Sequence, residues 1–368
     1  MAVAHGQVDV VVVGGGPAGA TAALTLARSG LSVLLVERST RWPIRTGEGL
    51  PPMARPLLES LGLWERFRAA GHLPSSGNRS AWGSSELFET DFIFNPYGHG
   101  WHLDRSVFDA MIVAAAEQAG VLRLSATRVA WEPTAAGGAL RIHQDGRELT
   151  ATARAVLDCS GQAAAIVHRL GARRIHRDKL VAVVALHRPG RGGDVDSTTL
   201  VEAAPDGWWY TALLPGDRRV FVYLTDGDLL DVRAARDVTE WLARLKRTDH
   251  LQQIHERFEY KVLVPPTIVP AGSSKLCPAA GDGWIAAGDS AISFDPLSSQ
   301  GIVTAMSLGQ QAALSMLNAW KGDVDAITSY LSTIDRLERD YMARRHRYYA
   351  LERRWAESPF WSRRSSAV

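Results

Sequence analysis

The chain opens on an unbroken apolar stretch, Val10 to Val13, which ends at three consecutive glycines. Apolar residues without polar alternation are typical of a strand buried on both faces of a parallel sheet. Small and apolar residues at 20, 23, 24 and 27 then share one face of a predicted helix, which ends at Gly30. A second buried strand is predicted over 32–36, so the chain begins as a strand, a helix and a strand.

The rest of the first half alternates between loops and short patterned elements. Residues 38–52 are rich in Gly and Pro, and we expect an irregular loop at the carboxyl edge of the sheet. Asp145-Gly146 predicts a hairpin turn. The other predicted elements are a helix over 56–70, short strands over 82–101, a helix from 104 to about 120, and strands around Val129, Leu140 and Val156.

From Lys179 the pattern predicts a second sheet of antiparallel or mixed strands. One helix over 238–246 interrupts this sheet, and Pro265-Pro266 is expected to end it. A strand over 284–287 and a long apolar helix over 302–320 follow, and the tail predicts helices rich in arginine. The strands predicted in the second sheet lie at 180–186, 198–203, 208–214 and 220–224.

Gly14, Gly16 and Gly19 follow the first strand with the spacing of a dinucleotide-binding turn. In such a turn the first glycine makes the tight bend, the second lets the backbone approach a pyrophosphate, and the third lets the helix pack on the strand. Glu37 follows Gly19 by 18 residues, close to the spacing at which a carboxylate hydrogen-bonds a ribose hydroxyl. The strand, the helix and the acid together predict a nucleotide cofactor at this edge of the sheet.

These patterns predict an α/β fold (α+β overall). It consists of a discontinuous Rossmann-type domain that binds FAD or NAD(P), an inserted β-sheet substrate domain and a C-terminal helical tail. The predicted boundaries are 1–72, 101–175 and 265–322 for the cofactor domain, 73–100 and 176–264 for the substrate domain, and 323–368 for the helical segment.

Composition and charge narrow the classes of function. The chain has 368 residues, 46% hydrophobic and 22% charged, which is ordinary for a globular protein with a large core. A net charge of +2 gives no strong field for nucleic acid or anionic membrane, and no apolar run reaches the roughly 18 residues that span a bilayer. The two cysteines are too few for a disulfide framework and lack metal-ligand spacing. We therefore expect a cytoplasmic protein with no metal site and with neither nucleic acid nor membrane as a partner.

With these turns, the chain resembles the FAD-dependent monooxygenases of the para-hydroxybenzoate hydroxylase superfamily, which includes the flavin-dependent halogenases. Three motifs, which together span most of the chain, carry the resemblance. They are the glycine turn with Glu37, the stretch Gly288-Asp289-Ser290-Ala291 through Phe294-Asp295-Pro296 to Ser299-Gln300-Gly301-Ile302, and Arg105 with Phe108 and Asp109.

The resemblance implies FAD bound without a covalent link. It places Asp289 on the ribityl chain, Arg105 near the pyrophosphate, and the start of the helix at Gly301 against the N1/O2 edge of the flavin. Helix N-termini stabilise anions, as the reduced flavin is at that edge. The residues it assigns to the cofactor are Gly14, Gly16, Pro17, Ala18, Gly19, Glu37, Arg38, Arg45, Glu48, Arg105, Gly288, Asp289, Ser299, Gln300, Gly301 and Ile302.

Smaller motifs are most similar to maturation flavoproteins of the LodB and GoxB type and a related peptide hydroxylase, which oxidise a tryptophan in a protein to build a quinone cofactor. These motifs are Gly47-Glu48, Ala81-Trp82-Gly83-Ser84, and residues 98–105. Residues 208–215 are loosely similar to the WxWxIP signature of halogenases.

The superfamily's two reactions differ in what they require. A halogenase captures hypohalous acid on a lysine, which in that family lies between the motifs that match Glu48 and Arg105. The first lysine here is Lys179, and arginine is a poor substitute because it is not deprotonated in proteins. A hydroxylase needs no lysine, because its C4a-hydroperoxyflavin transfers oxygen directly to an electron-rich ring. The resemblance therefore implies hydroxylation of a tryptophan- or tyrosine-like ring. The alternatives are a halogenase and, from another class, a non-catalytic flavin-binding maturation partner of an oxidase.

The electron source and the substrate stay open. Hydroxylases that use NADPH directly carry Asp-Gly and a downstream serine, where this chain has Asp158-Cys159 and Ala165. Either NAD(P)H docks transiently or a separate flavin reductase is a partner. The substrate is an aromatic small molecule or a ring within a protein or peptide.

Five residues are candidates for the substrate cavity and the flavin face. Strand alternation puts Trp208 and Tyr210 on one face, where their rings would stack on an aromatic substrate, and Trp209 on the other. A histidine at 102 either moves a proton near neutral pH or is structural. The candidates are His102, Trp208, Tyr210, Phe294 and Pro296, the last two expected over the flavin face.

Overall fold

The computed structural model describes residues 6–38, 47–126, 128–144 and 146–365. The helices in this part of the chain are α1 (Pro17–Arg28), α2 (Ala54–Ser60), α3 (Trp64–Ala69), α4 (Arg105–Gln118), α5 (Val238–Leu245), α6 (His250–Arg257), α7 (Gly301–Trp320), α8 (Ala326–Leu351) and α9 (Pro359–Ser365). The strands are β1 (Gly6–Val13), β2 (Val33–Arg38), β3 (Gly49–Leu50), β4 (Leu73–Ser75), β5 (Gly77–Ala81), β6 (Phe88–Asp91), β7 (Gly100–His102), β8 (Leu122–Ala126), β9 (Arg128–Thr134), β10 (Gly137–Gln144), β11 (Arg147–Asp158), β12 (Arg173–His176), β13 (Leu180–Arg188), β14 (Thr199–Ala204), β15 (Gly207–Leu214), β16 (Arg218–Asp226), β17 (Lys261–Pro270), β18 (Ser274–Cys277), β19 (Ala280–Gly281), β20 (Trp284–Ala286) and β21 (Ile292–Ser293).

The apolar stretch at the start forms the centre of the first sheet, whose order is β19-β20-β11-β1-β2-β8. β1 runs parallel to its two neighbours, so that Val10 lies between Val33 on β2 and Ala155 on β11. Val10, Val11 and Val12 are fully buried, which explains why the strand has no polar alternation. The predicted hairpin is also present, with Gln144 paired to Arg147. The parallel core with its helices and antiparallel additions confirms the predicted α/β class.

Helices α1 and α7 pack closely because small residues lie where they meet. A Cβ on Gly309 of α7 would lie 2.1 Å from the carbonyl oxygen of Ala18. Only glycine permits this approach of two backbones. The first residues of both helices, Ala18 and Gly301 among them, consequently line the same cavity.

The second sheet has seven strands in the order β17-β13-β16-β15-β14-β5-β6. Trp208 on β15 packs in one apolar cluster with residues of β13 and β16, whereas Trp209 packs on the other face against Trp241 and Tyr223. This confirms the predicted alternation along β15. Helices α5 and α6 cover the Trp209 face through Leu245 and Leu251. The opposite face is left to the cavity and to the C-terminal helices.

The C-terminal helices pack against the second sheet. Tyr349, Phe360 and Trp361 are buried in the same apolar cluster as Trp208. The tail is therefore helical, as the sequence predicts, and it also completes the core beside the cavity, on the same face of the second sheet.

Three elements differ from the expectations. The helix expected over 56–70 is split into α2 and α3, because Gly62 adopts a left-handed φ of +61°. β17 continues through Pro265-Pro266 to Pro270; it is an edge strand whose register against β13 shifts, which accommodates the missing N–H donors. α6 has no counterpart in the prediction, because its eight residues are mostly polar.

Within the described ranges, no helix has both the length and the apolar character needed to cross a membrane. The same residues contain no group of three or more His, Cys, Asp or Glu placed to hold a metal ion.

Candidate functional site

A cavity of about 780 Å³ lies between the two sheets. The turn after β1, the end of β2 and the turn after β11 line one side of it, which is the carboxyl edge of the parallel strands. Residues of β13 to β17 line the other side. Open α/β sheets bind their ligands at this edge, and here a second sheet provides the facing wall.

The three glycines of the turn differ in what surrounds them. Gly14 has a φ of +112°, and a Cβ there would lie 2.2 Å from the carbonyl oxygen of Cys159. A Cβ on Gly19 would lie 1.9 Å from the carbonyl oxygen of Gly14. Gly16 lines the cavity, and a Cβ there would meet no atom within 4 Å. The turn therefore requires Gly14 and Gly19 for its own packing, whereas Gly16 leaves space on the cavity side.

Glu37 and Arg38 line the far end of the cavity, where β2 ends. Glu37 Oε1 accepts a hydrogen bond from Nε of Arg123 at 2.8 Å and another from its Nη2. The ion pair holds the carboxylate at the end of the strand. This placement is compatible with the predicted ribose contact.

The second motif forms a loop that leads into α7. Gly288 is buried and does not line the cavity, and a Cβ there would be 2.6 Å from the Cβ of Ala18. Gln300 is the exposed residue that precedes the helix. Backbone N–H groups at the start of a helix have no partner within it, so they offer donors to an anion. The residues of this motif that line the cavity are Asp289, Phe294, Asp295, Pro296, Leu297, Ser298, Ser299, Gly301 and Ile302.

Arg105 is fixed at the cavity by two acceptors. Its Nε and Nη2 donate to the carboxylate of Asp109 at 3.2 Å each, and its Nη1 donates to the carbonyl oxygen of Gly47 at 3.0 Å. The third motif thereby holds the loop that carries Glu48. Pro17 and Ala18 also line the cavity, and Gly19 faces away from it into the turn. Arg45 lies outside the described residues.

Asp158 connects the turn after β11 to the second motif, a link that the sequence analysis did not predict. It is fully buried at the end of β11. Its Oδ1 accepts from the hydroxyl of Ser290 at 3.0 Å, and its Oδ2 accepts from the backbone N–H groups of Ile166 and Val167 at 2.9 and 3.2 Å. An acid that ends a buried strand before a tight turn is the sequence signal for such a link.

The wall contributed by the second sheet is made mostly of small apolar residues with two aromatic rings. Trp208 and Tyr210 stand on it beside one another, with ring centroids 6.2 Å apart. The small members of the wall, which the sequence analysis did not identify, are Ala182, Val184, Val201, Ala212 and Val222. Because these side chains are short, the wall leaves room for a flat ring in front of it.

Glu48 is an acidic group that lines the cavity and is bonded to this wall. Its Oε2 accepts a hydrogen bond from the hydroxyl of Tyr210 at 3.1 Å. Its Oε1 is buried and has no hydrogen-bond partner among the described residues. Burial raises the pKa of Glu48, and the positive charge of Arg105 opposes that rise. A buried acceptor without a donor is costly to leave unsatisfied, so this oxygen is suited to a ligand that carries an N–H or O–H.

His102 is buried beside the second sheet and does not line the cavity. Its Nδ1 is 2.8 Å from the carbonyl oxygen of Leu213, and its Nε2 is 2.9 Å from the hydroxyl of Thr199. The carbonyl can only accept, so Nδ1 carries the hydrogen and Nε2 accepts from Thr199. Burial lowers the pKa of His102 to about 4. The ring is neutral at neutral pH and orients Thr199, which does line the cavity.

Comparisons with known proteins agree on the kind of molecule. Residues 7–333 match the model of a family described as FAD binding domain. The putative FAD-dependent oxidoreductase LodB of Marinomonas mediterranea is 29% identical over 361 residues, which cover 97% of this chain and 96% of LodB.

Solved structures share the fold. The myxobacterial chondrochloren halogenase CndH superimposes with a TM-score of 0.88 at 22% identity, covering 98% of this chain and 86% of CndH. The peptidyl tryptophan dihydroxylase QhpG, essential for tryptophylquinone cofactor biogenesis, superimposes with a TM-score of 0.79 at 23% identity, covering 98% of this chain and 79% of QhpG. At these identities the likeness concerns the fold alone.

Proposed function

Because this chain belongs to the FAD binding domain family, and is thus an FAD-dependent oxidoreductase of the monooxygenase and halogenase type, we propose that it hydroxylates an electron-rich aromatic ring. The proposed ring is of the tryptophan or tyrosine type and is part of a peptide or protein. The observation that carries the proposal is the ring-lined wall together with Glu48, which bonds Tyr210 of that wall and keeps one buried carboxylate oxygen without a partner among the described residues.

FAD fits the residues that line the cavity. Gly16 leaves the space that a pyrophosphate requires, and Glu37 stands where the ribose is expected. The N–H groups that begin α7 would hold the edge of the flavin ring system. Asp289 would contact the ribityl chain, which joins the flavin to the pyrophosphate. Bound FAD supplies the reductive activation of molecular oxygen for transfer to a ring carbon.

The wall is proposed to orient the substrate ring. Tyr210 is partly exposed and offers its ring to the substrate, whereas Trp208 is buried and contributes only the part of its ring that lines the cavity. The short side chains of β13, β14 and β16 leave space between these rings and the loop that precedes α7. Phe294 and Pro296 line the cavity from the loop side. Apolar walls also exclude water, which protects an oxygen-transfer reaction from side reactions.

Glu48 is proposed to accept the proton that the oxygenated ring carbon releases. Its Oε1 would accept the hydrogen bond of an indole N–H or a phenol O–H, while the hydroxyl of Tyr210 keeps the carboxylate in place through Oε2. When a ring carbon gains oxygen it must lose its hydrogen as a proton to restore aromaticity. A carboxylate whose pKa is raised by burial is a better acceptor for that proton.

A ring within a peptide fits the charges better than a free amino acid does. The carboxylate of a free amino acid needs a cation or several donors when it is buried. The described residues of β13 to β17 that line the cavity include none with a positive charge. Arg38, Arg105, Arg128 and Arg169 line the cavity from outside the second sheet, and Arg105 already serves Asp109 and Gly47. QhpG, whose substrate is a peptidyl tryptophan, has this fold, and that supports the same preference.

Halogenation is the second candidate, since CndH is a halogenase of the same fold. No lysine lies among the described residues that line the cavity, and the chain has none before Lys179. This favours hydroxylation, because a halogenase needs a lysine to carry the halogen. The retained loop over 294–301 argues against a mere flavin-storage protein.

The test uses the FAD-loaded protein and a short peptide with one central tryptophan. The peptide and, in a parallel reaction, free tryptophan are incubated with labelled molecular oxygen and bromide, and with NADH either alone or with a flavin reductase. Mass spectrometry then shows which atom the ring gains. Labelled oxygen in the product supports the proposal and bromine supports the halogenase. The peptide and free tryptophan both unchanged, with FAD bound and reduced, would refute both enzymatic readings. Product from free tryptophan but not from the peptide would refute the preference for a peptide.

Glu48→Gln tests the proposed proton acceptor, with the exposed Glu86→Gln as the matched control. We expect turnover of the Glu48 variant to fall about 100-fold or more, since general-base catalysis contributes at least that much. Its rate should also lose the rise with pH that titration of Glu48 gives the wild type. If the side chain serves only the cofactor, the variant instead binds FAD more weakly and keeps the wild-type pH profile.

A further inference from the structure

Helix α8 holds the loop that precedes α7 through three side chains spaced four residues apart. Tyr341, Arg345 and Tyr349 share one face of the helix because residues i, i+4 and i+8 lie above one another. All three contact the Phe294-Asp295 segment. The family match ends at residue 333, so these three side chains lie beyond it.

The contacts with Asp295 involve both its backbone and its carboxylate. Its N–H donates to the hydroxyl of Tyr341 at 2.9 Å, and its Oδ2 accepts from the hydroxyl of Tyr349 at 2.6 Å. Nε of Arg345 lies 3.5 Å from the same Oδ2. The ring of Tyr341 packs on that of Phe294 at a centroid distance of 4.5 Å. The loop conformation is therefore fixed from behind, on the side away from the cavity.

The hydroxyl of Tyr349 also reaches the substrate wall. The indole Nε1 of Trp208 donates to it at 3.0 Å. An indole N–H can only donate and a carboxylate can only accept, so the bonds run from Trp208 through Tyr349 to Asp295. Hydrogen bonds in such a chain polarise and strengthen one another. Trp208 and Asp295 both line the cavity, one on the second sheet and the other on the loop that leads into α7.

We propose that Tyr349 is a positioning residue that couples the substrate wall to the flavin-facing loop. Trp208 is 1% exposed, so a ring in the cavity touches only the part of the indole that lines it. That contact holds the indole in the orientation in which Nε1 bonds Tyr349. The bond then stabilises the ordered state of residues 294–297, and the cofactor environment changes when the ring binds. The ring ligand in this proposal rests on the proposed function, whereas the holding of the loop does not.

The first experiment needs neither cofactor nor substrate. Hydrogen exchange of the peptide covering 292–301 is followed by mass spectrometry in the FAD-free protein. Tyr349→Phe removes only the hydroxyl, and Tyr348→Phe makes the same change on the neighbouring, exposed tyrosine. We expect about tenfold faster exchange in Tyr349→Phe, because the variant loses a hydrogen bond to a charged group that stabilises the closed loop. Tyr348→Phe should exchange at the wild-type rate. Equal exchange in the two variants would overturn the holding of the loop.

The second experiment uses the FAD-loaded protein and indole as the probe. Indole should change the flavin absorbance spectrum of the wild type, and the amplitude of that change at saturation should fall by at least about half in Tyr349→Phe. Trp208→Phe should lose the response while keeping slow exchange over 292–301 without ligand, because its Tyr349–Asp295 bond remains. An unchanged response in Tyr349→Phe would overturn the coupling.

Tyr341→Phe separates holding from coupling, and it also serves if Tyr349→Phe fails to fold. It removes a partner of Asp295 that has no bond to Trp208. We expect faster exchange with a retained indole response, and a lost response would contradict the assignment of coupling to Tyr349. A wild-type flavin that does not respond to indole, together with fast exchange in Tyr349→Phe, would overturn the coupling and the proposed ring site but support the holding of the loop.

Discussion

The two glycines at 16 and 19 give a matched pair of substitutions that separate cofactor binding from folding. Gly16 lines the cavity, and a Cβ there meets no atom within 4 Å, whereas a Cβ on Gly19 would lie 1.9 Å from the carbonyl oxygen of Gly14. Gly16 has a φ of −76° and a ψ of −175°, an extended conformation open to any residue. The same change to alanine should therefore act on the ligand at one position and on the fold at the other.

The magnitudes follow from these contacts. At the residue that precedes α1, alanine lowers the free energy of unfolding by roughly 0.5–1 kcal/mol relative to glycine. Because alanine has less conformational freedom than glycine in the unfolded chain, about 0.4–1 kcal/mol of that loss is offset. Gly16→Ala should thus leave the free energy of unfolding within about 1 kcal/mol of the wild type. If the added methyl displaces one or two charge-assisted hydrogen bonds to a pyrophosphate, FAD affinity falls roughly 10- to 1,000-fold. Gly19→Ala overpacks the turn and should destabilise the protein by about 1–3 kcal/mol or more.

The assay measures two quantities for each variant. Thermal or denaturant unfolding of the FAD-free protein gives stability, and quenching of FAD fluorescence on binding gives the dissociation constant. We expect Gly16→Ala, and more strongly Gly16→Val, to lose affinity without losing stability. Wild-type affinity in Gly16→Val would refute the placement of the cofactor. Equal loss of stability at both positions would refute the distinction between them.

Three further predictions concern buried charges and titration. Asp194→Ala should lower the free energy of unfolding, measured in denaturant, by about 3–5 kcal/mol, because it leaves the fully buried guanidinium of Arg219 without its carboxylate. Glu65→Ala removes one partner of an exposed ion pair and should change the free energy of unfolding by less than about 1 kcal/mol. Burial raises the pKa of Glu48, so the folded state binds the carboxyl proton more tightly than the unfolded chain does and loses stability as pH rises above the ordinary pKa of a glutamate. Glu48→Gln should flatten this decline of stability with pH in urea melts of the FAD-free protein. An unchanged slope of stability against pH would contradict the raised pKa. Burial lowers the pKa of His102 to about 4, so protons favour the unfolded chain and stability falls as pH drops from about 6.5; His102→Gln should reduce that fall in melts at two pH values.

Local patterns were sufficient for the elements whose burial is set by their immediate neighbours. The valine run predicts a central parallel strand, and the glycine spacing predicts the turn after it, because both signals depend only on adjacent residues. The alternation of β15 likewise places Trp208 and Tyr210 on one face. Gly62 breaks its helix through a single left-handed residue, which periodicity does not register.

Contacts between distant segments could not be predicted in this way. His102 has the residue type of a proton carrier, yet its partner Leu213 lies 111 residues away and fixes it outside the cavity lining as a neutral donor. Tyr349 lies 141 residues from Trp208, and in the sequence it is one of several aromatic residues in an arginine-rich helix. No local pattern says that its hydroxyl meets the flavin-facing loop. The wall of short side chains on the second sheet could not be predicted either, because the sequence does not show which short side chains line a cavity.

The charges around the wall bear on the choice between oxygen and halide as the group transferred. Glu48 offers a carboxyl group with one oxygen unsatisfied, and Asp295 adds a second buried carboxylate whose partners are Tyr349 and Arg345. A halide close to Glu48 meets negative charge where burial weakens screening, so that position is unfavourable for a halide whenever Glu48 is ionised. Molecular oxygen is uncharged and meets no such barrier. The carboxylate that suits a ring with an N–H or O–H donor therefore disfavours a halide beside it, and this adds a second argument to the missing lysine for the proposed hydroxylation.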